Sequence, residues 1–424
     1  MPRQSQHNIE KGQLPLDLSK SLDNIINMSI KLEIRAELEN ILSYWMNNTV
    51  DNENGGFVGE ISWDNKITPN ASKGAVLNTR ILWTFASAYR FDRRPEYLAM
   101  AQRAFDYIIA NFWDKEFGGI FWELDAKGTP VNTRKQIYAQ GFALYGFSEF
   151  YRATRNKVAL EYAIKTYELI EKHSYDAIHN GYIEARSRDW QPMEDVRLSS
   201  KDENTPKSMN THLHIIEPYT NLYRVWKDEN LGKRIHGLLE VFLDKIMDSE
   251  ACNFKLFFDE DWTVLPSAVS YGHDIEGTWL LTETAEVYGN VELLKRAKEI
   301  AIKMSDKVLK DGCDIDGSIY YELHLHNNHL DTDKHWWPQA EGMVGYLNTY
   351  QITKDKRYLD QMYRLWEFIK NHIVDNKNGE WFWLVRKDGS IRTSDVKVGF
   401  WKCPYHNSRA LIEVLERLEN LGIE

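Results

Sequence analysis

Two histidines of this chain fall where helices are expected to begin. In Ser270-Tyr-Gly-His-Asp-Ile-Glu-Gly-Thr-Trp-Leu-Leu281, His273 and Glu276 are three residues apart and share one helical face. Gly272 ends an extended approach, so His273 enters the first turn, beside unpaired backbone N–H groups and the positive end of the helix dipole. That setting disfavours imidazolium and keeps a neutral, basic imidazole, as a general base requires. Taken alone, a core histidine capped by a glutamate explains the run equally well. His406 stands in Phe400-Trp-Lys-Cys-Pro-Tyr-His-Asn-Ser-Arg409. Pro404 suits the first helical position, which puts His406 in a first turn and holds it neutral too. In Asn210-Thr-His-Leu-His-Ile-Ile-Glu217, Asn210 and His214 are four apart and face one way, whereas His212 faces elsewhere and reads as structural. Pro218 cannot bond to the His214 carbonyl, which predicts a kink. Two neutral imidazoles facing one cavity, with an arginine and carboxylates nearby, suit proton abstraction next to a carbonyl. A typical glycosidase needs a carboxylic acid paired with a carboxylate instead.

The elements that must position these residues recur along the chain. Apolar spacing predicts a helix over 29–45, and Asn54-Gly-Gly-Phe-Val-Gly-Glu-Ile-Ser-Trp63 alternates like a hairpin strand. A helix over 72–89 follows, carrying Asn78 and Arg80, and another runs over 95–112. Comparable hairpin strands start near 56, 119, 181, 253, 317 and 379, each followed by two helical stretches. Six such units imply closure into an all-α fold, an α/α six-barrel of six helix pairs, with short β-hairpins and long loops at one end. Parallel-strand patterning is lacking, which argues against a β/α barrel. The notable residues sit near the start of each inner helix: Arg80, Tyr138, Asn210 with His214, His273 with Glu276, Trp336 and Trp337 with Glu341, and His406. Inner helices of such a barrel run in one direction, so these positions converge on one end of the bore. Residues 1–27 read as a poorly ordered extension and 28–424 as a single catalytic domain. The polar stretch 188–209 looks like a flap over the open end, and 323–334 is expected to be a second long loop.

Composition excludes several classes. A net charge of −11 argues against nucleic acid or an anionic membrane as partner. No stretch approaches transmembrane length. The N-terminal stretch lacks an apolar signal core, and the three scattered cysteines suit a reducing cytoplasm. Fifteen Trp and 22 Tyr fit either a large aromatic core or platforms that stack on sugars. His324, His326, His329 and His335 cluster in sequence, but their spacing fits no standard site, and no metal is expected. A monomer or weak homodimer is expected.

The runs Asn210-Thr-His-Leu-His214, Gly272-His-Asp-Ile-Glu-Gly-Thr-Trp279, His335-Trp-Trp-Pro-Gln-Ala-Glu341 and Trp401-Lys-Cys-Pro-Tyr-His406 resemble those of the cellobiose 2-epimerases. These belong to the wider N-acylglucosamine 2-epimerase superfamily. The likeness spans nearly the whole chain after residue 28, in the same order. It implies an α/α six-barrel and reversible inversion at C2 of the reducing-end sugar of a disaccharide. It implies acid/base roles for His273 and His406 and an essential role for His214. It also implies contacts from Arg80, Tyr138, Asn210 and Glu276 to the reacting sugar. Trp336, Trp337, Glu341 and Trp401 would hold or stack the disaccharide, and Asp202 in the flap would reach the second sugar. Pro218 departs from the family pattern. No cofactor is needed, because an aldehyde already acidifies its α-carbon. Other readings stay open: an epimerase of mannobiose or N-acylglucosamine, an aldose–ketose isomerase, a glycoside hydrolase using carboxylates such as Glu276 and Glu341, or a non-catalytic sugar-binding protein.

Overall fold

The computed structural model describes the backbone of residues 16–423 and the side chains of residues 29–423. Twelve α-helices are found among the described residues: α1 (Leu16–Asn48), α2 (Ala75–Asp92), α3 (Pro95–Tyr107), α4 (Ile137–Thr154), α5 (Lys157–His173), α6 (Met209–Val225), α7 (Glu229–Val241), α8 (Tyr271–Tyr288), α9 (Val291–Lys307), α10 (Trp336–Thr353), α11 (Lys356–Phe368) and α12 (Tyr405–Asn420). The even-numbered helices form a closed inner ring, each touching the next and α12 touching α2. The odd-numbered helices lie outside, each packed against an inner partner. This is the expected α/α six-barrel.

Sequence dictates which helix goes where. In α4, fourteen consecutive residues from Ile137 to Phe150 are buried, because the helix is apolar or hydrogen-bonded all round. The outer helix α9 buries only a stripe (Leu293, Ala297, Ala301, Met304 and Ser305) and turns its charges outward. Outer helices start on their caps. Asn156, Asp228, Asn290 and Asp355 each accept a backbone N–H of the following turn, and Pro95 opens α3.

The six hairpins are present but very short, several reduced to a single bridge such as Val50 to Phe57 or Trp113 to Ile120. An aspartate opens each hairpin turn. In five units it meets a lysine from the strand before the next inner helix: Asp51–Lys73 at 2.8 Å, Asp114–Lys135 at 3.0 Å, Asp176–Lys207 at 2.7 Å, Asp314–Lys334 at 2.7 Å and Asp375–Lys397 at 2.6 Å. These lysines are almost wholly buried. The fourth unit has Val269 in place of the lysine.

Three expectations are modified. α1 starts at Leu16 rather than near 29, since no glycine or proline interrupts that stretch. Of the extension expected over 1–27, residues 1–15 lie outside the described residues. The segment expected as a second long loop is a hairpin, Glu322–His324 pairing with His329–Asp331, and it adds to the strand Ala268–Ser270. Pro404 is the residue before α12 rather than its first, which still leaves His406 in the first turn. α6 continues through Pro218. The proline has no N–H for the His214 carbonyl, and that oxygen lies against Gly141 of α4, where a Cβ would come within 2.4 Å of it.

Candidate active site

Inner-helix register decides which side chains enter the bore. The second, sixth and ninth residues of a helix share one face. Second positions hold Tyr138, Asn210, Trp337 and His406; sixth positions hold Arg80, Phe142, His214, Glu276 and Glu341; Glu217 is the ninth of α6. In four units the fourth position points the other way, into the hairpin of the same unit. Gln140 and Gln339 each bond both backbone groups of a strand residue, Ile120 and Ile319. His212 occupies the same position. Its Nε2 accepts from the Tyr182 N–H at 2.9 Å and its Nδ1 lies 2.6 Å from the Ser208 carbonyl, which makes it structural as expected.

The three site histidines are each held through Nδ1. His273 meets Ser270 Oγ at 2.8 Å, His406 meets Glu341 Oε1 at 2.7 Å, and His214 meets Glu217 Oε2 at 3.0 Å. Nε2 of His273 and of His406 is left without a protein hydrogen bond among the described residues. Burial, with the His214 charge adding to it, pushes His273 down to about 3. Burial and then the Arg80 and Arg409 charges push His406 well below the usual histidine range. Both imidazoles are therefore neutral, for a larger reason than the helix dipole alone. Trp337 packs against both, with ring centroids 4.7 Å from His273 and 5.7 Å from His406. Gly272 makes room for it, since a Cβ there would stand 2.4 Å from the indole.

Beneath the histidines lies a charge cluster organised by Arg409. Its guanidinium bonds Glu217, donates to Glu276 Oε1 at 2.6 Å and donates to Glu341 Oε1 at 2.7 Å. Glu341 thus receives both Arg409 and His406 on one oxygen, while its other oxygen accepts from Trp279 Nε1 at 3.1 Å. Glu217 is stabilised as a carboxylate: burial opposes its charge, but Arg409 and His214 outweigh burial and hold it below the usual range. Glu276 goes the other way. Burial first and the Glu341 charge second push its carboxyl well above the usual range, and its Oε2 has no partner. Arg80 donates to the Tyr138 hydroxyl at 2.7 Å and lies over the rings of Phe142 and Tyr405, 4.1 and 4.7 Å from their centroids. Arg80 Nε, Asn210 Oδ1 and Trp336 Nε1 are also buried and unpaired among the described residues. Buried polar atoms without partners are costly, and with Arg409 Nε five of them stand on residues at this end of the bore, which suits a polar ligand.

Residues 55–410 match the family described as N-acylglucosamine 2-epimerase (GlcNAc 2-epimerase). The chain belongs to that family. It is 50% identical to a cellobiose 2-epimerase of Bacteroides fragilis, over 93% of its own length and 100% of the relative's. It is 39% identical to a cellobiose 2-epimerase of Dictyoglomus turgidum, over 92% of its length and 99% of the relative's. Its fold matches the solved structure of cellobiose 2-epimerase from Bacillus thermoamylovorans with a TM-score of 0.88 at 38% identity, covering 92% of this chain and 99% of that one.

In this member of the epimerase family, the structure brings together His214, His273, His406, Arg80, Tyr138, Asn210, Glu276 and Trp337. Trp401 borders them, its ring 5.9 Å from Tyr138. Two residues expected to hold sugar sit differently. Glu341 is fully buried with both oxygens engaged, so it orients His406 and Arg409. Trp336 is 3% exposed and packs on Trp383, offering little face to a sugar. Asp202 is half-buried in the flap and accepts the Ser199 N–H and hydroxyl at 2.8 Å each. Sequence reasoning missed Arg409, Glu217 and Tyr405. The available signal was spacing, since Arg409 follows His406 by three and Glu217 follows His214 by three.

Glu276, Glu341 and His406 bring one donor atom each within 4.8 Å of one another, a set that could hold a cation. Arg409 already bonds both of those carboxylates, so the protein itself supplies the positive charge at that point. In the fifth hairpin His335 stacks on Tyr321 at 3.9 Å, while the His324 ring stands 5.9 Å from both His326 and His329.

Proposed function

We propose that this chain is a carbohydrate 2-epimerase that inverts C2 of the reducing-end sugar of a β-1,4-linked disaccharide, converting cellobiose to glucosyl-mannose. The observation that carries the reading is the pair of neutral imidazoles, His273 and His406, set against one indole with both Nε2 atoms unengaged. Two acid/base groups at one reacting carbon are what inversion requires. A single face would suffice for a binding protein.

In the proposed sequence the pyranose opens first, with His214 moving the proton between O1 and O5. One of His273 and His406 removes the C2 proton, giving a cis-enediolate. Arg80 stabilises its oxygen. Tyr138 is kept protonated, since burial raises its hydroxyl far more than Arg80 lowers it, and it and Asn210 serve as donors. Glu276 presents its unpartnered Oε2 to a sugar hydroxyl. Rotation about C2–C3 presents the other face. The first histidine releases its proton to solvent, and the second takes one up from solvent at Nε2 and delivers it to C2 there, so that both imidazoles end neutral. Each positioned acid or base supplies roughly 10²- to 10⁴-fold. Trp337 and Trp401 flank the sugar, and Asp202 approaches its second ring.

The hydrolase reading loses support from Arg409. Glu276 and Glu341 bond the same guanidinium nitrogen, whereas glycosidase carboxyls stand about 5 to 9.5 Å apart across the scissile bond. A cytoplasmic monomer or weak homodimer without nucleic-acid or membrane partners remains our expectation from composition. No helix among the described residues is long and apolar enough to cross a membrane.

The test is incubation of purified protein with cellobiose and mannobiose separately in D₂O, followed by NMR. The expected result is a C2-epimeric disaccharide carrying deuterium at C2, with cellobiose the faster. A ketose would move the assignment to an isomerase, and free monosaccharides to a hydrolase. Turnover of N-acylglucosamine alone would overturn the disaccharide.

A further inference from the structure

We propose that the end of the barrel opposite the histidines carries a binding site for a small multivalent oxyanion, a molecule bearing two or more phosphoryl groups. A cavity of about 580 Å³ opens there, lined by Arg90, Arg93, Arg152, Arg155, Arg224 and Lys227. Arg90 lies ten residues beyond Arg80 on α2, about 15 Å further along the axis. The site is therefore separate from the chemistry proposed above and does not depend on it.

The six cations come from one motif used three times. The sixteenth residue of α2, α4 and α6 is an arginine (Arg90, Arg152, Arg224), and a second cation follows three residues later (Arg93, Arg155, Lys227). The other three inner helices do not repeat it: the matching pairs are Glu286 with Gly289, Gln351 with Lys354, and Asn420 with Ile423. A general need to complement helix C-termini would act on all six inner helices alike, so it does not explain doubling on three adjacent ones.

The two sets of cations differ in their partners. Arg90 and Arg152 share the buried Glu149, at 2.9 and 2.8 Å, and Arg90 also meets Glu416. Arg224 bonds Glu283. These contacts fix the inner set in place. The outer set has no carboxylate partner among the described residues. Arg93 donates to the Ala153 carbonyl and lies over Tyr89, Arg155 lies over Tyr151, and Lys227 lies over Tyr223 at 3.8 Å. Three helix ends supply about −1.5 charges in all, less than the three unmatched cations. Burial and the Arg224 charge both lower Lys227, as expected where the local potential is positive. All this occurs on a chain of net charge −11. A phosphoryl group carries about −1.5 to −2 charges, so two match the set better than one, and arginine forks fit its oxygens in pairs. A concave cavity favours a small molecule over an extended polyanion.

The test is calorimetric titration of the full chain with sodium pyrophosphate at constant ionic strength, alongside orthophosphate and heparin. Arg93→Asn with Arg155→Asn removes two outer cations; both sites have positive φ (48° and 62°), which asparagine tolerates. Lys354→Asn, the lone cation at the equivalent place on α10, is the control. The expected result is saturable one-to-one pyrophosphate binding, tighter than orthophosphate. The double variant should weaken it at least about tenfold with circular dichroism unchanged, and Lys354→Asn should not weaken it. The proposal is overturned by no saturable binding at millimolar pyrophosphate, by equal weakening in Lys354→Asn, or by binding of heparin without pyrophosphate.

Discussion

His273 and His406 reach neutrality through burial, and this sets an expectation for pH. A base that titrates near 3 is fully available throughout the weakly acidic range. His212, also pushed to about 3 by burial, adds a stability effect. Its folded value lies below the ordinary value of about 6.5 in the unfolded chain. Its contribution is thus complete above about 6.5 and is lost as pH falls from there toward 3. Loss of activity on acidification should therefore coincide with loss of circular dichroism rather than precede it. Parallel pH series of turnover and ellipticity will decide, and an activity midpoint well above the unfolding midpoint would contradict the assignment of His273. At neutral pH, His273→Ala and His406→Ala should each lower kcat by roughly 10²- to 10⁴-fold with the fold intact. Glu341→Gln should lower kcat more than it raises KM, because Glu341 touches His406 and Arg409 rather than presenting a free oxygen to the sugar.

Within four of the repeats, the fourth residue of the inner helix ties helix to hairpin. Gln140, His212 and Gln339 are neutral there, and Asp274 is the exception by formula only. Asp274 Oδ1 accepts the Phe254 N–H at 2.8 Å, Oδ2 has no partner, and burial raises the carboxyl to about 8. A carboxyl raised on folding binds its proton in the native state while the unfolded chain has released it. Stability from this residue is therefore lost as pH rises from about 4 to about 8. Asp274→Asn keeps the acceptor and removes the titration. The variant should melt higher than the parent at pH 8, with the difference vanishing near pH 4, as thermal unfolding at the two pH values will show. A second element-level expectation concerns Gly141. A methyl group there would press on the His214 carbonyl that Pro218 leaves unbonded. Gly141→Ala should cost about 1–3 kcal/mol by overpacking and should also lower kcat, since His214 must move with its backbone.

Across the whole barrel, closure at the active-site end depends on the five buried Asp–Lys pairs between hairpin turn and following strand. Lys135 illustrates the balance: burial pulls it down to about 8, and only Asp114 opposes that. Asp114 also meets Arg188 at 3.0 Å, so Lys135→Met leaves that carboxylate paired. Lys73→Met instead leaves Asp51 without an ion-pair partner among the described residues and should destabilise by about 3–5 kcal/mol, with much of the loss recovered when Asp51→Asn is added. Denaturant unfolding of both variants tests this. The unit without a lysine is the one that carries His273, where Ser270 instead bonds the imidazole.

Helix count, closure, and the catalytic end were legible in the chain because they follow from local rules. Apolar spacing of 3.6 residues, six recurring hairpins, five of them marked by glycine, and a common direction for inner helices put Arg80, His214, His273 and His406 at one end from the sequence alone. The same i to i+4 rule separated His214 from His212. Spacing could not show what lies between helices. Arg409 lies 192 residues from Glu217, 133 from Glu276 and 68 from Glu341, and no local periodicity records that they meet. Nor could it show that Glu341 turns both oxygens inward, that Trp336 is covered, or that residues 322–324 pair with the strand before α8. Those outcomes depend on the angular order of the ring and on the need of each buried charge for a partner, both of which exist only once the six units have closed on one another.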